Sequence, residues 1–162
     1  MKQDVHGKWL QIMVLLLCAA SMIAGNSAAA IKNMAVVISA GSKVSDVPLA
    51  DLVKLCKGTQ KSWGDGKNFL LVVKNPEAPE MHVVAQRLFV DAGGDIKGAI
   101  AKMNESRVTV KIAGSDEELL RIVEATPGAV GIIDVYSINS SVKVLRVDGK
   151  LPFDAGYTFK GN

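Results

Sequence analysis

The chain is poor in the residues that most often carry chemistry. Its 162 residues include two cysteines and two histidines, and one of each lies within the first 30, leaving Cys56 and His82. A single thiol forms no internal disulfide, so stability has to come from packing. One Cys and one His do not make a Cys/His zinc site, and a Ser-His-Asp system would have to use His82. No Gly-x-Ser-x-Gly elbow accompanies that histidine. The sequence therefore reads as a non-enzyme with no catalytic residue, cofactor or metal. Basic runs are missing as well. Lys+Arg 19 against Asp+Glu 16 gives a formal charge of +3, spread along the chain, which leaves no electrostatic footprint for nucleic acid. Past Leu10 to Ala24, no stretch approaches the roughly 18 apolar residues of a membrane span.

That one apolar run has a specific setting. Lys2 and Lys8 precede it, and Ser27-Ala28-Ala29-Ala30 follows with small side chains. Charge, apolar stretch and Ala-x-Ala in this order are a secretory signal peptide, with cleavage expected after Ala30. Cys18 lies inside the run behind Leu17, where lipid modification requires a small residue, so a lipoprotein signal is not expected. Retention of the run as an uncleaved anchor is the other option. Residues 31–162 remain as one expected domain, carrying 17 Lys+Arg and 15 Asp+Glu and long enough to bury a core.

The remainder alternates strand and helix signals. Met34 to Ser39 is a β-branched apolar run ending before Gly41 and reads as a buried strand. Pro48 opens a helix on which Leu49, Leu52, Val53 and Cys56 share a stripe, with Gly58 as its stop. Cys56 is thus expected as a small core residue. After the Trp63-Gly64-Asp65-Gly66 turn, Phe69 to Val73 is a second buried strand. A helix is expected from Glu80 to Val90, with Met81, Val84, Ala85 and Leu88 inward, and another over Ile96 to Met103. Arg107 to Ile112 alternates with period two, predicting a strand with one wet face. Ser115 with Glu118 three residues on fits a capping box opening a helix to Ala125. Ala129 to Ile133 and Val142 to Val147 are the last strands.

This order predicts an α/β domain with a mostly parallel sheet and helices on both faces. In such sheets ligands sit outside the carboxyl ends of the strands, near helix N-termini that favour anions. The segments singled out are Ala40 to Lys43, Asn75 to Ala78, and Gly114 to Asp116.

Four pieces in sequence carry a resemblance. The strand Val36 to Ser39 leads to Pro48-Leu49, Leu52, Leu55 and Gly58, then to Lys61-Ser62-Trp63-Gly64-Asp65-Gly66. Gly114-Ser115-Asp116-Glu117-Glu118 leads to Thr126-Pro127-Gly128-Ala129-Val130-Gly131. Val142-Lys143-Val144-Leu145 and Val147-Asp148-Gly149 complete it. Over residues 34–152 the chain resembles the phosphate-type substrate-binding proteins of ABC transporters, in a short single-lobe form. The resemblance implies one lobe of a type II periplasmic binding protein, a periplasmic location, inorganic phosphate or a similar oxyanion as ligand, and an ABC permease as partner. Ser42, Lys43, Asn75, Ala78 and Ser115 are the candidate ligand-binding residues.

The loop after the second strand departs from the family pattern. Ala78 stands where a serine is expected, Met81 where short relatives carry Arg, and Pro79 lacks an N–H donor. Glu77 and Glu80 complement the helix dipole but oppose a phosphate. A lone lobe also buries only one side of an anion. Weak or degenerate binding is therefore expected. The alternative is a periplasmic interaction or scaffold protein that kept the fold without the ligand, docking on an envelope partner. The simplest readings of individual residues are an exposed or half-buried His82, a packing role for Trp63, and an N-cap role for Ser115.

Overall fold

The structure, a computed structural model, describes residues 32–89, 93–105, 107 and 109–160. The expected leader over residues 1–30 lies outside the described residues. Among the described residues, seven strands and four α-helices follow in order: β1 Met34–Ser39, β2 Asp46–Val47, α1 Leu49–Cys56, β3 Leu70–Lys74, α2 Met81–Leu88, α3 Ile96–Met103, β4 Val110–Ala113, α4 Asp116–Ala125, β5 Ala129–Asp134, β6 Val142–Val144 and β7 Arg146–Val147. A 3-10 turn, Val135–Ser137, separates β5 from β6.

The main sheet has the order β4-β3-β5-β1-β6. β3 is parallel to both β4 and β5, while β1 runs antiparallel to β5 and β6. Four strands thus share a direction and β1 opposes them, giving the expected mostly parallel α/β sheet. The short β2 and β7 form a separate parallel pair.

Alternation along the central strands divides the core in two, because successive side chains point to opposite faces. Val36, Ile38, Leu71, Val73, Val130 and Ile132 face α1, α2 and α3 through Leu52, Leu55, Cys56, Met81, Val84, Leu88 and Ile100. Ala35, Val37, Val72, Ala129 and Ile133 face α4 through Leu119, Leu120 and Val123. Helices on both faces follow from the strand order. The chain leaves β3 outward to β4, then returns past β3 to β5. Connections of one hand that reverse direction across a sheet must change face.

Local chemistry sets the helix ends. Ser115 Oγ accepts from Glu118 N at 3.1 Å, and the Glu118 carboxylate accepts from Gly114 N at 2.8 Å, so the expected box forms with its return bond one residue earlier. Pro48 is the residue before α1, whose first N–H, on Leu49, donates to the distant Asp148 carboxylate at 2.9 Å. Trp63 packs as expected: it lies edge-on to Phe69 at 5.7 Å, and its Nε1 donates to Gly128 O at 2.9 Å.

Two expectations are corrected. The period-two strand over 107–112 is instead Val110–Ala113; Thr109, just before it, is buried, and Ile112 within it is 47% exposed. The Asn104 side chain caps its start: Oδ1 accepts from Thr109 N and Val110 N, and Nδ2 donates to Val110 O. This plug takes up the backbone groups at the strand's start. The strand expected over 142–147 is broken at Leu145, which turns its N–H to Val36 O while Arg146 bonds to Ser45 O.

The C-terminal segment folds back onto the core. Tyr157 and Phe159 are both buried, edge to face at 6.0 Å, and Met34 N donates to Phe159 O at 3.2 Å. Among the described residues no helix is long and apolar enough to cross a membrane.

Candidate functional site

The register places four segments at one edge of the sheet. Lys74 pairs with Ala113, Val73 with Ile132, and Met34 with Asp134. This edge therefore holds the carboxyl ends of β3, β4 and β5 and the amino end of β1. From β3 the chain turns to α2 on one face; from the adjacent β4 it turns to α4 on the other. Neighbouring loops that part to opposite faces leave a crevice between them, where ligands of open α/β sheets bind.

A cavity of about 50 Å³ occupies that crevice, lined by Lys32, Met34, Lys74, Ala78, Glu80, Met81, Asp116, Ile132, Ile133, Asp134 and Ser137. It has room for only a few water molecules. The floor is apolar, from Met34, Met81 and the two isoleucines, and the rim carries the charge.

The rim is organised by two ion pairs. Lys74 Nζ lies 2.6 Å from Asp116 Oδ1, and Ser137 Oγ donates to Asp116 Oδ2 at 2.7 Å. One carboxylate thus joins β3, α4 and the turn after β5. Lys32 Nζ lies 3.3 Å from Glu80 Oε1, tying the segment before β1 to the start of α2. Burial works against ionisation of Asp116, but the Lys74 and Ser137 hydrogen bonds and the Lys74 charge outweigh it and hold its carboxyl below the usual range. The Glu80 carboxyl is also held low, first by its own backbone N–H, against burial, and then by Lys32.

Around these pairs the balance is acidic. Asp116, Glu117 and Glu118 fill the first turn of α4, and Glu77 pairs with Lys97 at 2.8 Å. The backbone field at a helix start attracts negative charge, and here the chain supplies that charge itself. Among the described residues no group of three or more His, Cys, Asp and Glu side chains is placed to hold a metal.

The candidate residues divide between the two edges. Ala78 lines the cavity. Asn75 and Ser115 flank it with their side chains engaged locally: Asn75 Oδ1 accepts from Glu77 N at 3.2 Å, and Ser115 caps α4. Ser42 and Lys43 are not with them. Because β1 runs antiparallel to β5, its carboxyl end lies at the opposite edge, where Ser42 Oγ accepts from Val44 N at 3.2 Å, Lys143 Nζ reaches Ser42 O at 2.6 Å and Lys43 is exposed. The three singled-out segments therefore do not share one end of the sheet. Met81, where the resemblance expects Arg, is buried in the apolar floor, and His82 points outward from α2.

Sequence reasoning did not single out Lys32, Lys74, Asp134 and Ser137. Lys74 had a usable signal, a charged residue ending an apolar strand just before Asn75-Pro76. Lys32 had none, since it reaches the site only because β1 is reversed.

No family model and no curated protein matches the sequence. Solved structures do match. An ABC-type phosphate transport receptor from Vibrio cholerae superposes with a TM-score of 0.57 at 16% identity, over 75% of this chain and 48% of that one. A putative phosphate ABC transporter substrate-binding protein with bound phosphate, from Clostridium perfringens, gives 0.56 at 17%, over 73% and 46%. PstS from Borrelia burgdorferi gives 0.62 at 17%, over 81% and 55%. The chain spans about half the length of the structures it matches, and at these identities the likeness is one of fold. The Vibrio protein is a transport receptor and the Clostridium protein a putative substrate-binding protein. The fold of this chain is thus that of phosphate-type substrate-binding proteins of ABC transporters, over about half of their length.

Proposed function

We propose that residues 31–162 form an exported, non-enzymatic oxyanion-binding domain of the phosphate type, with low affinity for its ligand. The observation that carries this reading is the crevice itself. Two lysines, Lys32 and Lys74, line an apolar-floored cavity at the parting of the β3 and β4 loops, in a fold shared with a putative substrate-binding protein holding phosphate. Residues 1–30 act as a cleaved secretory leader in this reading, which puts the domain in the periplasm, and an ABC permease is the natural recipient of its ligand. Low affinity follows from the rim: both lysines already bind carboxylates, and one lobe leaves one side of an anion in water. Calorimetric titration of the chain with inorganic phosphate tests the reading. Dissociation constants in the millimolar range are expected. Submicromolar binding would overturn the low affinity, and no uptake of phosphate would overturn the ligand class.

A second reading has its own support. Tyr136 is 86% exposed beside the crevice, and the lysines there are satisfied internally. A domain that kept the fold as an envelope interaction module would look this way. Retention of a specific membrane or envelope protein on the immobilised chain, together with no thermal shift in phosphate, favours it.

A further inference from the structure

We propose that the Asp116 carboxylate is a tethered occupant of the anion seat, a built-in competitor that sets the low affinity of the crevice. This rests on the oxyanion-binding reading above and names the residue that controls it.

The three acidic residues opening α4 do not behave alike. Glu118 completes the cap on Gly114, and Glu117 is exposed. Both already complement the helix dipole. Asp116 instead reaches across the crevice and gives each of its two oxygens a different donor from a different element, Lys74 Nζ at 2.6 Å and Ser137 Oγ at 2.7 Å. A cation and a hydroxyl meeting two oxygens of one anion is the arrangement a bound oxyanion would need from the same groups. While Asp116 holds them, the Ser137 hydroxyl proton is committed and the Lys74 charge is neutralised, although the ammonium keeps two further N–H donors. The cavity left beside the pair is about 50 Å³.

A group fixed on the adjoining helix competes at a high effective concentration, so an external anion must displace it before using the two donors together. Only the fraction of molecules with Asp116 turned away is competent, and the apparent affinity falls by that fraction. Removing the carboxylate frees Lys74 and Ser137 together and also deletes a repelling charge.

The test is calorimetric titration of inorganic phosphate into the parent chain and the variants D116S, D116N and E117Q, with circular dichroism to confirm that each is folded. D116N keeps the side-chain volume, and D116S opens the seat. E117Q removes the same charge one residue away without freeing either donor. The expected result is that D116S and D116N tighten phosphate binding by about tenfold or more, a change of roughly 1.4 kcal/mol per decade, while E117Q stays within about threefold. Adding K74M to D116S should cancel the gain. Parent-like binding in both Asp116 variants, or an equal gain in E117Q, would overturn the competitor while leaving the oxyanion reading intact. Failure of the parent and all the variants to take up phosphate would overturn both.

Discussion

Lys74 and Asp116 face each other at 2.6 Å across the gap where the loops after β3 and β4 part. One stands at the last position of a buried strand and the other at the first position of a helix on the opposite face. Their pairing closes the crevice from the side where the two loops would otherwise leave it open. With their side chains 37% and 25% exposed, solvent weakens the bond, and K74M should cost about 1 kcal/mol of stability. Urea unfolding of parent and K74M measures this.

The two rim carboxylates give the acid limb of stability its direction. Asp116 and Glu80 are both held below their ordinary values of 3.8 and 4.5. A depressed carboxyl contributes stability that is present above its unfolded value and lost as pH falls through its folded one. The melting temperature should therefore hold steady from neutral pH to about 5 and fall below about 4.5. D116N should fall less steeply there. A series of melts in buffers of falling pH shows whether it does.

Cys56 sets a limb at the other end. Burial raises its thiol from 9.0 to about 12, and Tyr157 rises from 10.0 to about 12 for the same first reason. Groups kept neutral by the fold lend stability that is complete below their unfolded values and disappears as pH climbs toward 12. The native thiol should be inert to a thiol-specific reagent at pH 8 and react only as the chain unfolds. Rapid labelling of the native protein would contradict its burial.

Close packing of α4 on the sheet depends on a missing side chain. A Cβ on Gly131 would lie 2.6 Å from Leu119 Cδ2, 3.0 Å from Val123 Cγ2 and 3.1 Å from Val37 Cγ2. G131A should cost about 1–3 kcal/mol by overpacking. Since α4 carries Asp116, the same variant should also disturb the crevice, visible as shifted Lys74 and Ser137 resonances.

Much of this architecture could be read from the residues, for identifiable reasons. Met34 to Ser39, Ala129 to Ile133 and the helix over 116–125 carry strong periodic or β-branched patterns with clear stops, and they fold as read. Ser115 and Glu118 announced their cap at the expected spacing. Strand direction has no such local signature. An apolar run such as Ala35 to Ile38 is equally suited to either orientation, and reversing it carried Ser42 and Lys43 to the far edge and Lys32 into the site. Likewise, the plug by Asn104 on Val110 is a side chain to backbone contact that no alternation pattern encodes.

Mapping of backbone amide shifts during a phosphate titration tests the central claim most directly. Weak, saturable changes confined to residues around Lys32, Lys74, Asp116 and Ser137 are expected, with Ser42 and Lys43 unmoved. Changes centred on Ser42 and Lys43, or none anywhere at saturating phosphate, would contradict it.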